Sequence, residues 1–158
     1  MKTCGNVITF GFGEKLWIRS TFYLSVLLGA YGLWPAGPGP ALGYLAFVAV
    51  SYGLLMRYSV CARCPHLFVA GDCLFLPAPL ARMLVSPRAG RLKWWEAGVA
   101  LAAAVGTVAI PVYWLTAEPL LLALFLGLSI GYVIGLVGHV CRKCQVEVCP
   151  CNRNPAFK

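Results

Sequence analysis

Carboxylates are scarce in this chain. Its 158 residues include five Asp and Glu, and none falls in the middle of a long apolar run. Proton relays and cation channels place ionisable groups at membrane depth, so the scarcity argues against both. Histidine is scarcer still: His66 and His139 are the only two, each just beyond the end of an apolar run. A bis-histidine haem at mid-membrane needs two imidazoles inside the spans, so that cofactor is excluded. Charged residues make up 11% of the chain, against roughly 25% in soluble domains. The sequence also lacks GxxxxGK[ST], HExxH and GxSxG, the signatures of phosphate-cradling loops, zinc proteases and serine hydrolases.

Apolar residues fill the space those groups leave. They account for 60% of the chain, and the mean hydropathy is +0.78. A domain of this size cannot hide so much apolar surface from water, which predicts an all-α integral membrane protein. Four apolar runs, at about 16–34, 41–58, 97–115 and 120–138, approach or match the roughly 20 residues that a spanning helix needs. The run Pro35-Ala36-Gly37-Pro38-Gly39-Pro40 separates the first two as a turn, and Thr116-Ala117-Glu118-Pro119 separates the last two. Two helical hairpins in a single domain, residues 1–158, are therefore expected. Between the hairpins, Pro77, Pro79 and Pro87 chop the chain, leaving room for a turn or two of helix near Leu80–Val85. Pro111 is expected to kink the third span. Gly127, Gly131 and Gly135, and likewise Gly98, Ala102 and Gly106, recur every four residues and read as smooth ridges for close helix packing.

Charge position sets the expected orientation. The thirteen Lys and Arg divide as three near the amino end, six from Arg57 to Lys93 and four from Arg142 onward. The two turns between spans carry none. By the positive-inside rule, both termini and the central segment are cytoplasmic, in an inner or plasma membrane. The same distribution accounts for the net charge of +8 without nucleic acid, and leaves the lipid bilayer as the principal partner. Trp17, Trp94 and Trp95 fall at the predicted inner boundary, and Trp34 and Trp114 at the outer one.

Seven of the eight cysteines lie in two stretches, 61–73 and 141–151. Each stretch opens with a CxxC pair, Cys61–Cys64 and Cys141–Cys144, a few residues after a predicted span ends. Two such pairs on one face would supply four thiolates to a tetrahedral centre. Cys73, Cys149 and Cys151 remain, and with His66 they would complete a second site. Disulfides are disfavoured on a reducing cytoplasmic side. Cys4 stands alone. Arg63, Arg142 and Lys143 sit inside the CxxC pairs, where positive charge favours thiolates. Asp72 reads as a solvated turn residue. The Cys149-Pro150 step is similar to the closing cysteine and proline of bacterial ferredoxin ligand runs, although the gaps between cysteines differ.

These observations lead to an electron-transfer module with a cysteine-ligated iron–sulfur centre at the cytoplasmic face, exchanging electrons with a larger membrane redox complex or a quinone. Two alternatives share the same residues. Zinc would lock the loop and tail together in a structural or accessory subunit, or the cysteines would act as a membrane thiol oxidoreductase. No catalytic residue is assigned.

Overall fold

The computed structural model describes residues 9–68, 71–88, 90, 93–143 and 154. Cys4, Cys144, Cys149 and Cys151 lie outside them. The helices are α1 (Phe12–Leu33), α2 (Pro38–Val50), α3 (Met56–Ser59), α4 (Pro65–Phe68), α5 (Ala78–Leu84), α6 (Trp94–Leu115) and α7 (Pro119–Gly135), with no strand among the described residues. Three helical runs are long and apolar enough to cross a membrane: Pro38–Arg63, Trp94–Leu115 and Pro119–Lys143. Their outward faces carry large apolar side chains such as Leu101, Val105, Ile130 and Ile134, as a lipid-facing surface requires.

Proline sets the helix boundaries. Pro38 and Pro119 start their helices because a fixed φ and a missing N–H cost nothing in the first turn. The turn before α2 is therefore shorter than the proline run suggests, and Gly37, at φ 114°, makes the reversal. At the other end the run from Pro38 passes Tyr58 and continues to Arg63, because nothing breaks it until Pro65. Cys64 precedes that proline and is extended, at φ −81° and ψ 114°, as steric conflict with the ring demands. Cys61 thus belongs to the last helical turn rather than to a loop beyond the helix. Cys141 is likewise still helical.

α1 is the packing hub, although it is the most polar of the long helices. It packs against α2, α6 and α7. Its buried residues are Ile18, Thr21, Phe22, Ser25, Val26, Gly29, Ala30 and Leu33, a spacing of threes and fours that turns one face inward. Thr21 donates to the Trp17 carbonyl at 2.7 Å and Ser25 to that of Phe22 at 2.8 Å, so their hydroxyls need no water. α1 is as long as α6 but is not one of the three candidate spans. Arg19 and these hydroxyls lower its hydropathy.

Pro111 lies inside α6, where it cannot donate to the carbonyl of Thr107 four residues back. The buried Tyr44 hydroxyl of α2 donates to that carbonyl instead, at 3.0 Å. Gly29 of α1 completes this junction. A Cβ there would lie 2.9 Å from the Pro111 ring and 3.1 Å from the Tyr44 hydroxyl. The glycine ridges are tight only in part. A Cβ at Gly135 would meet Trp17 and Ile18 at 2.8 Å, and one at Gly106 would meet Phe47 at 2.7 Å. Gly131 has ordinary contact with Trp17, and Gly98 and Gly127 face open space. Tight contact is confined to one end of each ridge, so a repeat of four marks the smooth stripe but not where the contact falls.

Candidate functional site

The cysteine stretches are placed by polar contacts at the start of α1. Phe10 N donates to Asp72 Oδ2 at 2.8 Å, and Lys15 Nζ pairs with Asp72 Oδ1 at 2.7 Å. Lys143 Nζ pairs with Glu14 Oε1 at 2.6 Å. Two consecutive residues of α1, Glu14 and Lys15, therefore hold the carboxyl-terminal cysteine stretch and the central one. Arg19 completes the attachment, donating to the carbonyls of Leu74 at 2.8 Å and Cys73 at 3.1 Å. The one cation inside the first apolar run is thus a clamp on the central segment.

The central segment is folded on itself by similar means. Gly71, at φ 66°, lets the chain reverse, and Asp72 N returns to the His66 carbonyl at 2.9 Å. Arg82 of α5 donates to the Leu67 carbonyl at 3.0 Å. His66 is buried, with its ring 4.8 Å from that of Phe10.

Asp72 is not the solvated turn residue the sequence suggests. It is buried between Phe10 and Lys15. Burial pushes its carboxyl up, but the bond from Lys15, the N–H of Phe10, the Lys15 charge and the N–H of Cys73 outweigh this and hold it below the usual range. A depressed carboxylate stabilises the fold above its unfolded value of about 4 and loses that contribution as pH falls through the folded value. Asp72→Asn is accordingly expected to cost about 1–3 kcal/mol at pH 7, since it removes a charge-assisted pair. Detergent melting curves for parent and variant should separate at pH 7 and draw together as pH falls below the usual carboxylate range. A gap that stays constant as the pH is lowered would rule out the titration.

Glu96, the acid at the start of α6, is fully buried. It accepts from Lys93 N at 2.9 Å and pairs with Arg63 Nη2 at 3.0 Å and Arg88 Nη1 at 3.4 Å. Arg63 also donates to the Ser59 carbonyl at 2.6 Å. The arginine inside the first CxxC is thus committed to Glu96, and Lys143 of the second is committed to Glu14. The cation within electrostatic reach of Cys61 is instead Arg57, one helical turn earlier. Sequence spacing missed this, because a partner 33 residues away leaves no local trace.

Of the candidate ligands, the described residues place Cys61, Cys64, Cys73, Cys141 and His66. Cys61 is within electrostatic reach of both Cys64 and Cys73. All four thiols are half-buried, and no disulfide joins them. Among the described residues, no three His, Cys, Asp or Glu side chains converge tightly enough to hold a metal ion. The remaining candidates, Cys144, Cys149 and Cys151, lie outside the described residues. No protein-family model, curated protein or solved structure matches this chain.

Two further features adjoin the thiols. A five-residue π turn, Ser51–Leu55, interrupts the helix ahead of Cys61, and a second, Leu136–Val140, directly precedes Cys141. Such turns recur at functional sites. A cavity of about 340 Å³ lies between the lower parts of α1 and α2, lined by Arg57, Cys61 and Cys73 together with Phe22, Tyr52 and Phe75.

Proposed function

We propose that this is a four-span integral membrane protein whose two cysteine stretches form a shared metal centre at the cytoplasmic surface, serving electron transfer. In this reading α1 is the fourth span, its polar face turned toward the other helices and Arg19 held at the inner boundary by the Cys73–Leu74 backbone. Cys61, Cys64, Cys141 and Cys144 make an S4 site, and Cys73, Cys149, Cys151 and His66 form a second. An iron–sulfur cluster suits four thiolates at a lipid boundary, where burial and nearby cations tune the potential.

One observation carries the proposal. Adjacent residues Glu14 and Lys15 hold the two stretches, which are about 70 residues apart in sequence, at one end of the molecule. Separate functions would not need that juxtaposition. The test is metal content per chain after anaerobic purification of Cys64→Ser, Cys144→Ser and the double variant. A shared centre predicts that each single variant loses the metal of the S4 site and keeps that of the second, and that the double loses no more than either single, because groups serving one centre are non-additive. Half the metal in each single and none in the double would show that each stretch binds its own ion. The absorption spectrum of the parent distinguishes an iron–sulfur cluster, which is brown, from colourless zinc.

The cavity shared by Cys61 and Cys73 favours a second reading, a thiol oxidoreductase. Metal-free protein whose thiols cycle between reduced and oxidised states would establish it.

A further inference from the structure

The cavity beside Arg57 has the properties of a ligand site. Arg57 is nine-tenths buried and lines the cavity. Its Nε has no hydrogen-bond partner among the described residues. None of the carboxylates that pair with Lys15, Arg63, Arg88 or Lys143 is bonded to it. A guanidinium buried this far with an idle N–H is costly unless something accepts from it.

The walls say what that something is. The Phe22 ring lies 4.7 Å from that of Tyr52 and 6.0 Å from that of Phe75, centroid to centroid, so three aromatic side chains form one contiguous cluster on the lining. Aromatic walls suit a planar ring, and the single cation suits an oxygen on its edge. A phosphate headgroup would bring strongly hydrated oxygens against these rings with one arginine to meet them. The volume of about 340 Å³ takes a ring head but not a whole lipid. Tyr23 and Ala49, also on the lining, are exposed on the outer surface of α1 and α2. The cavity therefore opens sideways, where an alkyl chain would remain among lipid tails.

We propose that this cavity binds the ring of a membrane quinone, with Arg57 donating to a ring oxygen. The proposal rests on the electron-transfer reading for its purpose but on the cavity for its evidence. It places the acceptor against Cys61 and Cys73, so electrons need cross little protein between thiol-bearing centre and ring.

The test is binding of a short-chain, fully ring-substituted 1,4-benzoquinone to the whole protein in nanodiscs, followed by quenching of intrinsic fluorescence. Full substitution prevents addition of thiols to the ring. The parent should bind saturably. Arg57→Met should bind at least about tenfold more weakly, the worth of one hydrogen bond from a charged donor. Ala49→Trp should also block binding by filling the rim. That position faces outward, so it guards against a misfolded Arg57 variant. No saturable binding by the parent, or parent-like binding in either variant, would overturn the proposal. So would a site that responds to the fraction of anionic lipid in the disc and ignores the quinone. Metal content is measured on the same samples. Quinone binding without metal defeats only the shared-centre reading, and metal without quinone binding defeats only this one.

Discussion

Replacing Glu96 with alanine is expected to release the central cysteine segment from the helix ends. Glu96 is the only carboxylate on Arg63 and Arg88 among the described residues. Arg63 is nearly as buried as Glu96 itself, and Arg88 also donates its backbone N–H to the Ala62 carbonyl at 2.8 Å and lies 4.1 Å over the Tyr58 ring. Removing the acid leaves a guanidinium buried without counter-charge, a much worse state than either a complete pair or none. The cheapest relief is for the Cys61–Arg63 turn to open and hydrate Arg63. Maleimide labelling of Cys61 and Cys64 should then accelerate by about tenfold or more, as a locally unfolded population grows. The double variant Arg63→Met with Glu96→Met removes both buried charges and should recover much of the protection. If Glu96→Ala labels at the parental rate, the cluster does not hold the segment closed.

The second large effect is expected at the junction of α1, α2 and α6. Tyr44→Phe removes the donor on which the Thr107 carbonyl depends. Pro111 cannot replace it, and no water reaches a buried carbonyl within a membrane span. The cost should be about 1–3 kcal/mol, the penalty for an unsatisfied buried polar group. Pro111→Ala restores a backbone N–H four residues ahead of Thr107. In that background Tyr44→Phe should cost clearly less, and the shortfall in the double-mutant cycle measures the coupling. Unfolding midpoints in detergent for the four proteins give the answer. Equal cost of Tyr44→Phe in both backgrounds would mean that the tyrosine acts through packing alone.

Much of the helical plan was legible in the sequence, for reasons visible at individual residues. Length, hydropathy and proline placement mark out α6 and α7, and Pro119 starts α7 where a missing N–H does no harm. Hydropathy falls after Tyr58 and by itself puts Cys61 beyond the helix. The backbone, however, heeds the steric effect of Pro65 rather than polarity. The site was legible in composition but not in contacts. Nothing near Asp72 in sequence announces Phe10 and Lys15, and nothing near Arg63 announces Glu96. Both pairings bring distant segments together, and charge spacing along a chain carries no information about them. Arg57 reads in sequence as one more basic residue of the central segment, although its burial beside the aromatic cavity is the more telling property.

The two π turns change the register of the helices ahead of the thiols. A π turn holds an extra residue, so the helix beyond it is rotated by about one residue's worth, roughly 100°. Ser51–Leu55 and Leu136–Val140 thus act as phase shifters between a membrane-facing body and a thiol-bearing tip. Upstream, the residues of α2 and α7 keep the register that their lipid and core contacts require. Downstream, Cys61 and Cys141 are free to take another heading. The direction in which each thiol looks is thereby separated from the amphipathic pattern of the helix that carries it.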